Sequence, residues 1–148
     1  MAAWLDSNWF NFLQSIGIVG GLAFTAFSLR RENQGRRISD FLALTGHHRE
    51  LWMEIQRQPG LARVLQAEVN LIDQPITWTE EEFLNLVFVH FQAGWELARR
   101  GSILKMNTLR TDAKCFLKLP IPRSVWSKTT VFRDTEFVRF INEASEDI

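Results

Sequence analysis

The side chains in this sequence best suited to acid–base or metal chemistry are three histidines, at positions 47, 48 and 90, and the glutamates at positions 80–82. A zinc site needs His or Cys ligands spaced for one helix face and a third ligand within reach. Neither HHRE nor VFVHF supplies such a set. Helical ribonucleases of the HEPN type carry an Arg, four to six residues and then a His, and no Arg stands at that distance before any of the three histidines.

Other catalytic motifs are incomplete in the same way. The glycines of GIVGG lack the Lys and the Ser or Thr that follow in a phosphate-binding loop. The three glutamates open a helix, where its dipole favours negative charge. We expect His48 and His90 to be core histidines with satisfied hydrogen bonds and Cys115, the only cysteine, to be a small buried residue. The sequence therefore predicts no catalytic site, metal or cofactor, and a protein that is not an enzyme.

Charge is unevenly distributed along the chain, although its 148 residues carry no formal net charge. Residues 99–133, called the basic interval below, contain nine basic residues and one acid, whereas every charge in residues 69–98 is negative. The residues that we expect to bind an anionic ligand are Arg99, Arg100, Lys105, Arg110, Lys114 and Lys118. That ligand could be a nucleotide or oligonucleotide, a lipid headgroup, or the acidic residues 69–98 of another subunit. Alternatively, the basic interval could be a solvated surface that binds no ligand.

A second pattern concerns the first 31 residues. From Ser7 to Leu29 there are 23 residues without a charge, which in a helix span roughly 33 Å, against about 30 Å of hydrocarbon in a bilayer. No Lys or Arg precedes the run, which argues against a cleaved signal peptide, and four arginines follow it by position 37. An excess of Arg marks the cytoplasmic side. We therefore predict a single-pass transmembrane segment over residues 1–31, with its N-terminus outside.

One edge of this segment is polar. Steps of three and four residues define the polar seam, whose members are Asn11, Gln14, Ile18, Gly21, Thr25 and Ser28. Polar groups in lipid are costly unless they face partners or water, so several copies could surround a pore lined by the seam. Gly17 and Gly21 form a GxxxG motif, which allows helices to approach closely. The alternative is an oligomerising anchor whose seam only packs and conducts nothing.

Residues 32–148 read as a cytosolic all-α domain. A helical stripe ends before Pro59 and Gly60, and its members are Ile38, Phe41, Leu42, Thr45, His48, Trp52 and Ile55. A short helix follows over 61–69. Thr79 and Glu82 predict a capping box for a central helix that ends at Gly101. We expect this helix to be the most buried, because it is apolar nearly all round at Leu86, Val87, Phe88, Val89 and Phe91. Further helices are expected over 107–118, from Pro122, and after a cap at Asp134. The fold class is all-α, with one transmembrane helix followed by a small helical bundle.

Three segments carry a resemblance: SIGIVGGLAFTAFSLRRENQGRRISDFLALTGHHRELW, TEEEFLNLVFVH and PIPRSVWSKTTVFRDTEFVRF. Together with the order of parts they resemble small single-pass bacterial membrane proteins, and among these the channel effectors of anti-phage defence, such as the channel subunit of Hailong-type systems. There, a partner nucleotidyltransferase makes an oligodeoxyadenylate that controls a tetrameric channel. Cas-associated membrane pore proteins are a second comparison, but they retain a HEPN-like shape, and this sequence lacks the Arg-to-His motif.

The resemblance implies a homo-oligomer, a tetramer, in the bacterial inner membrane. It also implies antiviral defence, a pore lined by the polar seam, an oligonucleotide or nucleotide ligand at the basic interval and a nucleotidyltransferase encoded in the same operon. The competing expectation is a non-conducting, membrane-tethered oligomeric adaptor.

Overall fold

The computed structural model describes the backbone of residues 2–101 and 103–146, and the side chains within these ranges from residue 14 onward except 15 and 146. Five α-helices and two short 3₁₀ segments form the described chain. The α-helices are α1 (Ala2–Arg57), α2 (Trp78–Arg99), α3 (Met106–Leu117), α4 (Pro120–Thr129) and α5 (Thr135–Glu146). The described residues contain no strand, so the predicted all-α class is confirmed.

The chain divides into two compact units, Met1–Ile38 and Ser39–Ile148, which we call unit 1 and unit 2. The predicted boundary between residues 31 and 32 falls inside unit 1. All the described side chains of unit 1 are exposed. Unit 2 holds the buried core.

No helix in the described part of the chain is both long and apolar enough to cross a membrane, which does not fit the span predicted for residues 1–31. The described apolar side chains of unit 1 begin at Ile16, and Arg30 follows Leu29. That stretch is shorter than the roughly 20 apolar residues that a helix needs to span a bilayer. The earlier half of the predicted run, residues 7–13 together with Ser15, has its side chains outside the described residues.

The core of unit 2 is built from aromatic and branched side chains of α2, α3, α4 and α5. Phe137 on α5 is fully buried, with its ring centroid 5.7 Å from that of Trp95 and 5.8 Å from that of Trp126. Phe88 on α2 packs against Trp126 at 5.0 Å. Such aromatic pairs combine a large buried apolar area with favourable edge-on geometry. They join α2, α4 and α5 into one bundle.

Helix α2 is the central element of the bundle, as expected, but it is not buried all round. Phe83, Leu84 and Phe88 are buried, whereas Leu86 and Val89 are 59% and 58% exposed. The expectation that these last two residues lie in the core was wrong. Helical geometry places them on the side away from the residues that α2 presents to its neighbours.

The start of α2 also differs from the prediction. Its capping box is formed by Thr77 and Glu80, two residues earlier than the expected Thr79 and Glu82. The Thr77 hydroxyl accepts from the backbone N–H of Glu80, and the Glu80 carboxylate accepts from the backbone N–H of Thr77 at 2.8 Å. Both pairs fit the same spacing, and burial of Glu80 decides between them because only Glu80 reaches Arg63.

Most other helix ends follow the sequence signals. Gly101, in the left-handed region at φ +72°, follows the end of α2 as predicted. The Asp134 carboxylate accepts from the backbone N–H groups of Glu136 and Phe137 at 2.9 Å, which confirms the predicted cap of α5. The predicted short helix over 61–69 is instead a 3₁₀ segment, Pro59–Leu65.

Candidate functional site

Unit 2 contains a cavity of about 340 Å³ between the C-terminal part of α1 and helices α2 and α3, called the histidine cavity below. Its residues from α1 are spaced three and four apart, so one face of the helix lines it. These α1 residues are Phe41, Leu44, Thr45, His48, Leu51, Trp52 and Ile55. The predicted stripe included five of the seven. It missed Leu44 and Leu51, and its members Ile38 and Leu42 are exposed.

The opposite wall comes chiefly from α2 and α3. It includes Phe83, Val87, His90, Phe91 and Gly94 of α2, and Leu109, Asp112 and Phe116 of α3, with Leu65 and Leu104 from the connecting segments. Gly94 lies where side chains of the two walls come close together. A Cβ placed there would meet Leu104 and Leu109 side chains at 3.4 Å and Leu44 at 3.7 Å. The lining is therefore almost entirely apolar, with two histidines, one threonine and one carboxylate.

The two histidines of the cavity lie against each other. The ring centroids of His48 and His90 are 5.3 Å apart, with the ring planes inclined by 33°. The indole N–H of Trp52 donates to His48 Nε2 at 2.9 Å. Because an indole nitrogen only donates, His48 Nε2 carries no proton in this arrangement, and the proton of the neutral ring is on Nδ1.

His90 is the less satisfied of the pair. Its Nδ1 atom is buried and has no hydrogen-bond partner in the described chain. Burial, together with the smaller effect of the nearby His48 and His47, lowers the pKa of His90 from 6.5 to about 4, so the ring is neutral at pH 7. The expectation of a satisfied core histidine was wrong for His90, and His48 is exposed instead of buried. An unpaired buried polar atom costs free energy and calls for an explanation.

The basic interval is partly neutralised by acidic side chains of the same chain. Arg99 forms an ion pair with Glu136, and its guanidinium lies 4.5 Å from the centroid of the Trp95 ring. Arg110 pairs with Glu143 at 3.8 Å. Both carboxylates belong to α5, two turns apart. Arg100 pairs with Glu96 at 3.6 Å.

The other three residues predicted to bind an anion are lysines. Lys105 and Lys118 are exposed, and Lys114 is half-buried. Arg110, Lys114 and Lys118 lie at or next to α3 with the spacing of one helix face. The structure thus places two of the six predicted residues, Arg110 and Lys114, on α3 and a third, Lys118, at its C-terminal cap. Arg99, Arg100 and Arg110 form ion pairs. The role of the set in ligand binding stays a prediction.

The polar seam is exposed wherever its side chains are described. Gln14, Ile18, Gly21, Thr25 and Ser28 are all exposed, and the side chain of Asn11 lies outside the described residues. The Thr25 hydroxyl donates to the carbonyl oxygen of Gly21 at 2.8 Å, so the helix itself satisfies this polar group. A Cβ added at Gly17 or Gly21 would meet nothing within 4 Å. Neither glycine is therefore packed against any other side chain that the structure describes.

Two findings bear on other chemistry. Within the described residues, no group of three His, Cys, Asp or Glu side chains is arranged to hold a metal ion. Cys115 is exposed, so the expectation of a buried thiol was wrong. It lies on α3, where the neighbouring Ala113, Phe116 and Leu117 turn towards the core.

Comparison with protein-family models, with characterised proteins and with solved structures finds no match for this chain. The site must therefore be judged on its own geometry. The histidine cavity was missed by sequence reasoning, although the signal was present: Thr45 and His48 interrupt an otherwise apolar stripe on α1, and His90 interrupts the apolar run of α2.

Proposed function

We propose that this protein is an oligomeric effector of the bacterial inner membrane, in which unit 1 forms an ion-conducting pore that unit 2 controls. The observation that carries the proposal is the exposure of the apolar side chains from Ile16 to Leu29. Ile18, Val19, Leu22 and Phe24, for example, are between 56% and 73% exposed. They point in several directions around the helix, so a single neighbouring helix could not cover them all. Lipid and further copies of the chain together would.

The sequence supports a bilayer as the covering medium. The run without charge extends from Ser7 to Leu29, and the arginines that follow it favour a cytoplasmic location for unit 2. We therefore retain a transmembrane helix, single-pass and with its N-terminus outside, as part of this proposal. The resemblance to anti-phage channel effectors supports a role in antiviral defence and an assembly of four copies.

The polar seam supports a pore more specifically. Thr25 is satisfied by its own helix and would tolerate lipid, but the exposed carboxamide of Gln14 would be costly there. An arrangement that turns the seam towards an axis between copies gives this group water or a partner. The open space at Gly17 and Gly21 would let neighbouring helices approach closely.

Control by an anionic nucleotide or oligonucleotide follows from the ion pairs of the basic interval. A phosphate that binds Arg99 or Arg110 must compete with Glu136 or Glu143 of α5. Such a ligand would favour assemblies in which α5 is displaced, and its different affinity for the two forms would shift the population of open pores. A nucleotidyltransferase encoded beside the protein would be the source of the signal.

The test of conduction is current through planar bilayers that contain the full chain, together with membrane depolarisation of expressing cells. We expect currents above background, and we expect the double variant Asn11→Leu with Gln14→Leu to reduce them by at least tenfold. The matched control is Phe24→Leu with Phe27→Leu, which changes two exposed apolar residues outside the seam and should leave the current unchanged. Absence of current from the unaltered protein would refute the pore.

Association of the helices is tested separately. Gly21→Leu fills space that is open in the single chain and should break contacts between copies, whereas Gly35→Leu, on the same helix beyond the apolar run, should not. Crosslinking in membranes measures the difference. Equal crosslinking of both variants would contradict the packing role of Gly21.

The second candidate function, a non-conducting membrane-tethered oligomeric adaptor, is favoured by exposed apolar residues of unit 2. Trp78, Val131 and Phe132 are 75%, 83% and 88% exposed, as expected for a surface that another protein covers. For an adaptor, Phe132→Ser would release a partner protein without any change in membrane potential. A pore would show the reverse dependence, on Gln14 and not on Phe132.

A further inference from the structure

One face of α2 and the 3₁₀ segment Thr130–Phe132 together form an exposed surface of unit 2. Arg133 joins the two parts, because its Nη2 atom donates to the side-chain oxygen of Asn85 on α2 at 2.9 Å. The residues of α2 on this face are three or four positions apart, which is the spacing of one helix face. We call the surface the Arg133 patch, and its members are Trp78, Glu82, Asn85, Val89, Val131, Phe132 and Arg133.

The charge of Arg133 has no carboxylate partner within the described residues. Its guanidinium carbon lies 5.1 Å from the centroid of the Phe88 ring and 5.7 Å from that of Trp126. The acceptor of its hydrogen bond, Asn85, is neutral. Burial lowers the pKa of this guanidinium, but an arginine stays protonated at pH 7. The rings and the amide attract the cation without neutralising it.

One nitrogen of this guanidinium can be reached from outside the chain. Nε of Arg133 is buried and has no hydrogen-bond partner, so no group of another molecule can approach it. Nη1 also makes no hydrogen bond to a described residue, but it is not buried. A carboxylate from outside would therefore bind at Nη1, where the charge of both groups strengthens the hydrogen bond.

The patch itself contains a carboxylate of the required kind. Glu82 is exposed and forms no ion pair or hydrogen bond with another described residue. A two-fold interface uses the same surface of both copies, so that residue i contacts residue j and j contacts i. Two Arg133 patches that face each other can therefore join Glu82 of each copy to Arg133 of the other. The patch is thus complementary in charge to a second copy of itself.

The apolar members of the patch agree with such a contact. Trp78, Val131 and Phe132 are among the most exposed large apolar side chains of unit 2. Tryptophan, phenylalanine and arginine are enriched in the cores of protein interfaces. Tryptophan and arginine in particular are frequent among the residues that contribute most to binding.

From this combination we infer that the Arg133 patch is a contact between two copies of this chain, in which the Glu82 carboxylate of each copy accepts a hydrogen bond from Arg133 Nη1 of the other. The exposed apolar side chains of both patches become buried around the two ion pairs. The contact lies in unit 2 and goes beyond the proposed pore, because it requires neither membrane insertion nor conduction. The same apolar residues favour the adaptor function, so a different protein bound to the patch is the competing outcome of the test.

A photoreactive p-benzoylphenylalanine in place of Phe132 tests the contact in the full chain. Irradiation of expressing cells should give a covalent dimer, and mass spectrometry should locate the link within residues 78–89 or 131–133 of the second copy. The same group in place of Ile103, which is also exposed but lies beyond the other end of α2, should give no dimer. The inference is overturned if position 132 gives no dimer, if it links to another protein or another surface, or if position 103 gives as much dimer.

Charge reversal then tests the ion pairs. With the photoreactive group at position 132, Glu82→Arg opposes Arg133 of the other copy with a second cation and should reduce the dimer at least fivefold. The matched control is Glu50→Arg, the same reversal at an exposed position of α1, which should leave the dimer unchanged. A dimer that persists in Glu82→Arg, or that Glu50→Arg reduces equally, would contradict the pairing.

A mixture of two variants separates lost pairing from lost folding. Chains with Glu82→Arg and chains with Arg133→Glu should each dimerise poorly alone, but together both of their ion pairs join opposite charges, so the dimer should recover. Circular dichroism verifies that each variant folds, and no recovery between folded variants would overturn the inference. If Arg133→Glu does not fold, the comparison of Glu82→Arg with Glu50→Arg decides. Current through planar bilayers is a separate measurement, and its absence beside an intact dimer would refute the pore alone.

Discussion

Unit 1 and unit 2 differ in the exposure of their apolar side chains. In unit 1, Phe24 and Phe27 are 73% and 66% exposed, although they belong to a run without charges. In unit 2, Phe88 and Phe137 are almost completely buried among other aromatic rings. The same residue type therefore stabilises unit 2 through contacts within its core, whereas in unit 1 the described phenylalanines are left exposed. Exposure on this scale indicates where the protein meets its surroundings.

Replacing one phenylalanine in each unit tests this difference most directly. Phe137→Ala leaves a cavity in the core, and we expect a loss of about 4 kcal/mol in the free energy of unfolding of unit 2. Phe24→Ala should leave that free energy unchanged and instead weaken retention in membranes. Chemical denaturation followed by tryptophan fluorescence measures the first effect, and membrane fractionation the second. A loss of more than about 1 kcal/mol for Phe24→Ala would show that unit 1 contributes to folding of the core.

The second prediction concerns the buried ion pair that fixes the start of α2. The Arg63 guanidinium donates to both carboxylate oxygens of Glu80, from Nε at 2.7 Å and from Nη2 at 2.9 Å. Burial raises the pKa of Glu80, but the hydrogen bonds from Arg63 and Thr77 outweigh it, so this pKa lies below its usual value. Glu80→Gln should cost about 3 kcal/mol, because it leaves a poorly solvated guanidinium without its counter-charge.

Glu82→Gln is the control for this change, since Glu82 is exposed and belongs to the capping box that the sequence favoured. It should cost less than about 0.5 kcal/mol. Urea denaturation of both variants at pH 7 compares them. Equal losses would mean that Glu80 acts only as a helix cap.

A third prediction uses the histidine cavity. The pKa of His90 is about 4 in the folded chain and 6.5 without its surroundings, so the unfolded chain takes up this proton first as the pH falls. The stability that comes from neutral His90 is complete above pH 6.5 and is lost progressively down to about pH 4. We expect the free energy of unfolding to fall by about 1 kcal/mol between pH 7 and pH 5, because partial exposure of the ring reduces the full effect.

His90→Gln should flatten this part of the pH profile, whereas His47→Gln, which removes only a minor cause of the low pKa of His90, should change it much less. Denaturation at intervals of half a pH unit measures the slope. The loss of the Glu80 contribution sets in only below its unfolded value of 4.5, so the two effects are separable. If the free energy of unfolding of the unaltered chain did not change between pH 7 and pH 5, the burial of the His90 ring would be contradicted.

The smallest expected effects come from the ion pairs between the basic interval and α5. Glu136→Gln and Glu143→Gln should each change stability by less than about 1 kcal/mol, because both pairs are exposed and screened by salt. Their effect on the affinity for an anionic ligand should be larger than their effect on stability. If an oligoadenylate binds the basic interval, the double variant should bind it more tightly, and an unchanged affinity would place the ligand elsewhere.

The sequence predicted much of unit 2, since helix ends depend on local signals. The Asp134 cap, Gly101 and the amphipathic stripe of α1 are short-range features that periodicity and capping chemistry detect. The choice between Thr77 with Glu80 and Thr79 with Glu82 could not be made in this way, because it depends on Arg63, which is 17 residues away. The histidine cavity was hidden for the same reason. It exists only where α1, α2 and α3 come together. The polar residues Thr45, His48 and His90 mark single positions of its lining, but no local pattern reports the space between the helices.

Chemical labelling of Cys115 can test the orientation proposed for this chain. It is the only thiol of the chain and is exposed on α3. A bulky, charged maleimide that cannot diffuse through lipid would therefore modify one known position, with no need to engineer the protein. If the chain is inserted in the inner membrane as proposed, labelling from outside inverted vesicles, which expose the cytoplasmic face, should modify Cys115, and labelling from outside intact spheroplasts should not.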